Sequence, residues 1–248
     1  MNRRTFLQAA LAAAAAAPLA APLAAPLAAR AAPSRMRPEP LPGTLPTGPA
    51  SVLGPVWRVP VDDVQIAFRE MGDGQPLLLL TDRGCSARYW SLDLLRRLAD
   101  GCRPIVMDYR GVGHSTDNRS NPPSVARLAS DAAGMLWASG VASAHVLGWG
   151  LGGAVALTLA ATEPARVKSL ILCSAAPPGS AALQPIPEIE SMLGDPRTKP
   201  EQMLALLFPP EAKAAKQAYA ENLKVMPQEE ATDAAVRRQA EALAAYRT

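Results

Sequence analysis

The sequence predicts an α/β fold: a doubly wound, mostly parallel sheet followed by a helical segment. Three observations carry that prediction. Continuous apolar runs (Leu77-Leu78-Leu79-Leu80, Pro104-Ile105-Val106-Met107-Asp108 and Ser169-Leu170-Ile171-Leu172-Cys173) alternate with helix-length segments. That is the rhythm of βαβ units whose strands are buried on both faces. The stretch Val146-Leu147-Gly148-Trp149-Gly150-Leu151-Gly152-Gly153 reads as a strand end, a tight glycine-bounded turn and the start of a small-residue helix. After Pro177-Pro178-Gly179 the pattern becomes helical with proline breaks.

The N-terminus opens with Asn2-Arg3-Arg4-Thr5-Phe6-Leu7 and runs on into an Ala/Leu/Pro stretch ending at Ala29-Arg30-Ala31. Paired arginines, an apolar run and a small-x-small cleavage site resemble a twin-arginine export signal over residues 1–31. The expected location is therefore periplasmic or secreted. Pro18, Pro22 and Pro26 interrupt the apolar run, so no stable membrane span is expected. Residues 32–50, dense in proline, read as a linker with no fold assigned.

Val56–Val59 and Val64–Arg69 alternate at period two around Asp62-Asp63 and predict an antiparallel hairpin. Then follow the Leu77 strand, a helix from Trp90 to Ala99 closed by Gly101, and the Pro104 strand. A helix from Val125 to Ser139 closed by Gly140 leads to the Ala144–Gly148 strand, a helix over Leu151–Ala161 and the buried Ser169–Cys173 strand. Helices are predicted over Glu201–Phe208, Glu211–Val225 and Glu229–Tyr246. Their broad polar faces suit a cap-like segment (181–248) lying over the core (51–180) rather than a second core.

Charge and cysteines narrow the function classes. The net charge of +3 belongs to Arg3, Arg4 and Arg30, and the balanced remainder gives nucleic acid no footprint. Cys85, Cys102 and Cys173 show no metal spacing. Cys102 and Cys173 adjoin apolar runs and read as buried free thiols. Gly148-Trp149-Gly150-Leu151-Gly152 lies too deep in the chain, with its third glycine mis-spaced, for a dinucleotide loop. No cofactor and no metal are expected.

Leu77 to Gly84 followed by Tyr89-Trp90, then Asp108-Tyr109-Arg110-Gly111-Val112-Gly113-His114-Ser115, then the turn at 148–153 together resemble the α/β-hydrolase superfamily, in its cap-bearing esterase, lipase and epoxide-hydrolase-like branch. The resemblance implies an ester-type hydrolase in which an elbow serine attacks a carbonyl, a histidine takes its proton and an acid orients the histidine. The elbow position here is Gly150, which has no side chain to attack with. No carboxylate follows in Ser174–Gly179, and no histidine lies beyond the elbow. His145 begins the elbow strand, about 16 Å from the turn, and reads as structural; His114 reads as a turn stabiliser. The resemblance assigns the oxyanion-hole N–H donors to Leu151 and Arg83, with the Asp82 charge beside them opposing a developing oxyanion. Ser86 and Ser115 read as ordinary loop serines. Superfamily members return from the cap into further strands, so a C-terminally truncated core is expected. Its Leu170 strand would lie at a sheet edge open to self-association.

Three functions follow. The first is an exported superfamily member inactive as written, either a broken reading frame or a degenerate relative. The second is a hydrolase of small apolar esters or lactones that works by water placed on the oxyanion donors, or with a missing half supplied in trans. The third is a non-enzymatic module that binds a small ligand between cap and sheet.

Overall fold

The computed structural model describes residues 38, 40–179, 182, 186–195 and 197–247. The export signal of residues 1–31 lies outside them, as does the boundary at 180–181. Six strands form one sheet in the order β1-β2-β4-β3-β5-β6: β1 Trp57–Val61, β2 Val64–Glu70, β3 Gln75–Leu80, β4 Cys102–Met107, β5 Ala144–Trp149 and β6 Val167–Cys173. The first two form the expected hairpin, and β2 also runs antiparallel to β4. From β4 through β3 and β5 to β6 all pairings are parallel. The fold class is the one the apolar runs predicted.

Side-chain alternation divides the core between the two sheet faces. Leu78 and Leu80 of β3 enter one cluster with Ile105, Met107 and Val146, while Leu77 and Leu79 enter the other with Val106. Leu78, Leu79 and Leu80 are fully buried, each worth about 1.5–3 kcal/mol relative to exposure. Helix α1 (Leu92–Ala99) supplies Leu92 and Leu95 to the second cluster. Helices α2 (Val125–Ala138) and α3 (Leu151–Thr162) supply the first. Helix α1 starts two residues later than expected, because Trp90 is extended and the Ser91 hydroxyl caps the Leu94 N–H.

The remaining helices are α4 (Pro187–Gly194), α5 (Pro200–Leu207), α6 (Lys213–Val225) and α7 (Asp233–Arg247). Ala235 and Leu243 of α7 join the first cluster and Met226 the second, so this segment shares the one core. Helix α7 begins at Asp233 rather than Glu229. Ala231 forms a bridge with Val112, and the Thr232 hydroxyl accepts the Ala235 N–H at 3.2 Å, which caps the helix there.

Two expectations are corrected. Residues 40–50 do not run free as a linker. Pro40 bridges to Trp57, the Leu41 N–H donates to the Val56 carbonyl at 2.8 Å, and Ala50 and Leu53 are buried. Strand β6 is not buried either: Ile171 is 48% exposed, Leu172 39%, and Cys173 is exposed rather than a buried thiol. An apolar run announces burial only where both faces are covered, and β6 is the sheet edge among the described residues. Cys102 is half-buried.

Candidate active site

The elbow is built where β5 ends at Trp149 and α3 starts at Leu151. Gly150 between them has φ 58° and ψ −118°, a conformation strained for any residue with a Cβ. Its neighbours are glycines because the helix start is pressed onto the sheet: a Cβ on Gly152 would lie 2.2 Å from the Leu80 carbonyl oxygen. The Gly150 N–H donates to the Cys173 carbonyl at 3.0 Å, which pins the turn to β6. The expected scaffold is present, with no side chain at its apex.

The apex is filled from elsewhere. Asp82, in the loop after β3, extends its carboxylate into it. A Cβ on Gly150 would lie 2.2 Å from Asp82 Cγ and 2.2 Å from its Oδ1. That Oδ1 accepts the N–H of Leu151 at 2.8 Å and the N–H of Arg83 at 2.8 Å. Leu151 and Arg83 are the two donors assigned from the sequence to the oxyanion hole. The structure brings them together as expected, and both are engaged by an internal carboxylate. The partial positive charge at the α3 N-terminus favours an anion there. Burial raises the Asp82 carboxyl above its ordinary value, although the two N–H bonds and the charges of Arg83 and Arg247 pull the other way.

The loop around Asp82 is fixed by the helical segment. The Arg83 guanidinium pairs with Glu190 of α4, which Arg247 of α7 also approaches at 3.5 Å. The Gly84 N–H donates to Gln239 Oε1 at 2.7 Å, and Val236 packs against Gly84. Burial pushes the Cys85 thiol well up, with the Asp82 charge acting in the same direction. It therefore stays protonated and offers no thiolate near the elbow.

A second acidic centre follows β4. Asp108 is buried and accepts the N–H groups of Ala87 and His114, each at 3.3 Å. Burial, and then the Glu229 charge, push its carboxyl up to about 7. Glu229 pairs with Arg69, and His114 Nε2 lies 3.1 Å from Glu229 Oε1. The His114 carbonyl accepts Arg58 Nε at 2.7 Å, so this residue does hold its turn. Ser115 Oγ accepts the Ala67 N–H and donates to the Asp108 carbonyl, both at 2.8 Å. Ser86 Oγ donates to the Glu229 carbonyl. Both serines fasten loops, in agreement with their reading. His145 Nδ1 lies 2.7 Å from Ser169 Oγ, at the start of β5 and away from the elbow at its other end.

From the sequence the Asp82 charge is expected beside the donors, whereas in the structure its carboxylate stands on them. Sequence reading missed Glu190, Glu229 and Gln239 altogether. Periodicity reports which face of a helix is apolar, whereas these contacts join residues more than 100 positions apart.

Comparison with known proteins identifies the fold. A family model described as alpha/beta hydrolase fold matches residues 76–221, more than half of the chain. A protein of Azorhizobium caulinodans named as the carbamate hydrolase RutD is 30% identical over 172 residues, covering 68% of this chain and 62% of that one. The pimeloyl-[acyl-carrier protein] methyl ester esterase of Aeromonas salmonicida is 32% identical over 114 residues, covering 46% and 43%. An alpha/beta hydrolase fold protein from Chitinophaga pinensis superposes with a TM-score of 0.69 at 21% identity, over 81% of this chain and 74% of that one. At that identity the likeness is one of fold. The chain spans 39% to 62% of the length of the first curated relatives it matches.

Proposed function

This chain belongs to the alpha/beta hydrolase fold family, and from that premise we propose that it has left serine-dependent ester hydrolysis. One observation carries the reading: the Asp82 carboxylate stands on both oxyanion donors, at the apex where Gly150 has no side chain. Acyl transfer by this scaffold needs a nucleophile at the elbow and vacant donors aimed at the developing oxyanion. Here the first is missing and the second are occupied. Gly150 and Asp82 are complementary, because a Cβ at Gly150 and this placement of Asp82 exclude each other at 2.2 Å. The resemblance to carbamate and methyl ester hydrolases supports small ester-like compounds as the ancestral substrates of the site. A water-based route using the same two N–H groups is disfavoured, since Asp82 would first have to vacate them.

The test is direct. Purified protein is challenged with short-chain p-nitrophenyl esters and with a serine-directed fluorophosphonate probe, and neither turnover nor labelling is expected. Label on a peptide spanning 148–153, or turnover that persists after removal of contaminating esterases, would refute the reading. Export through the twin-arginine route is the second part of the proposal, supported by Arg3, Arg4 and the apolar run that follows. Fusing residues 1–31 to a reporter should carry it across the membrane, and replacing both arginines by lysine should retain it inside.

A further inference from the structure

Occupation of the donors inverts the polarity that the elbow presents to a ligand. A vacant oxyanion hole offers N–H groups and recognises acceptors such as an ester carbonyl or a carboxylate. Here Leu151 and Arg83 both donate to Asp82 Oδ1. The second oxygen, Oδ2, accepts no hydrogen bond among the described residues. Asp82 is only half-buried, and Oδ2 is not among the side-chain atoms sealed from solvent without a partner. It lies 2.6 Å from the point a Gly150 Cβ would take, at the centre of the elbow. The guanidinium groups of Arg83 and Arg247 both pair with Glu190, while their charges also act on Asp82. The four charges of Asp82, Glu190, Arg83 and Arg247 sum to zero, so an approaching cation meets no net repulsion from them.

We propose that the elbow is a binding site for a small hydrogen-bond donor, best a primary alkylammonium ion, which docks on Asp82 Oδ2. An ammonium donates to that lone oxygen in a charge-assisted bond, while Oδ1 stays on its two N–H groups. An ester carbonyl or a carboxylate of the same size meets only lone pairs there, and is rejected by the feature that disables ester chemistry. The inference rests on the reading of the filled hole given above, and its failure is separable from the failure of that reading. Labelling by the fluorophosphonate would sink both, whereas absence of labelling together with absence of amine binding would sink this one alone.

The experiment compares butylammonium chloride with sodium butyrate at matched ionic strength on the full chain. Melting temperature and the amide resonances of Leu151 and Arg83 are followed together. Butylammonium is expected to raise the melting temperature and shift both amides, with an apparent affinity at least about tenfold above that of butyrate. In Asp82→Asn the amide oxygen can keep the two N–H groups while Nδ2 turns a donor outward. The preference should then reverse toward butyrate. Wild-type protein that binds the two ligands equally, or binds neither, overturns the proposal, and that comparison decides the matter even if the variant does not fold.

Discussion

Two carboxylates sit at the same edge of the sheet, Asp82 after β3 and Asp108 after β4, and their surroundings differ in a way that separates function from architecture. Asp82 places one oxygen on two N–H groups at 2.8 Å, and its other oxygen has no hydrogen-bond partner among the described residues. Asp108 spreads its two oxygens over two longer bonds of 3.3 Å, fully buried, with Glu229 close enough to oppose its charge. The first is a carboxyl held on two backbone N–H groups, which pull its pKa down against the larger upward push of burial. The second is an acid that the interior keeps near neutrality at about 7. Similar loops on neighbouring strands thus raise the same carboxyl in both places, and the two sites differ in donor geometry and nearby charge.

The largest effect expected bears on Asp82. Gly150→Ser drives a Cβ into its carboxylate and adds strain at positive φ, and should cost about 2–4 kcal/mol in urea unfolding. Asp82→Gly with Gly150→Ser should recover part of that loss. Additive costs would mean that the carboxylate yields freely.

The next bears on Asp108. In the folded protein its carboxyl holds a proton up to about 7, while the unfolded chain releases it near the ordinary aspartate value of 3.8. The folded state therefore binds the extra proton between those values, and stability falls as pH rises through that window before levelling off above it. The decline should be on the order of 3 kcal/mol and should flatten in Asp108→Asn, as read by denaturant midpoints from pH 4 to 8. An unchanged slope in the variant would dissolve the contrast.

Asp82→Ala strips two N–H groups of their acceptor and should cost about 1–3 kcal/mol, less if water takes the place. The smallest effect is expected at His114, whose side chain is one-third exposed at 33%. His114→Gln should change stability by less than about 1 kcal/mol, and a larger loss would show that the Glu229 contact matters more than its exposure suggests.

The parallel sheet was legible in the runs at Leu77, Pro104 and Ala144, because strands covered on both faces must be apolar throughout. The elbow was legible because close backbone approach admits only glycine at Gly148 and Gly152. Leu151 and Arg83 could be assigned as donors because a backbone N–H depends on position in the motif and not on side chain. What Asp82 does with them was not legible, since rotamer and loop path decide whether a carboxylate stands beside a donor or on it. Strand β6 misled, because Leu170-Ile171-Leu172 has the composition of a core strand whatever covers it. Three of the four described helices after residue 186 lie within a few residues of their expected bounds and α4 was not expected at all; periodicity also holds no record of which loop each one meets.

The connection from α6 to α7 binds both acidic loops at once. The Ser86 hydroxyl reaches the Glu229 carbonyl, the Gly113 N–H reaches the Glu230 carbonyl at 3.4 Å, and Arg88 pairs with Glu230. Farther along, Gln239 takes the Gly84 N–H. Loops that share fasteners come undone together. In deuterium exchange the amides of Gly84, Gly113 and Leu151 should therefore take up label in a single concerted opening, and loosening the last third of the chain should bare both carboxylates to solvent in the same event.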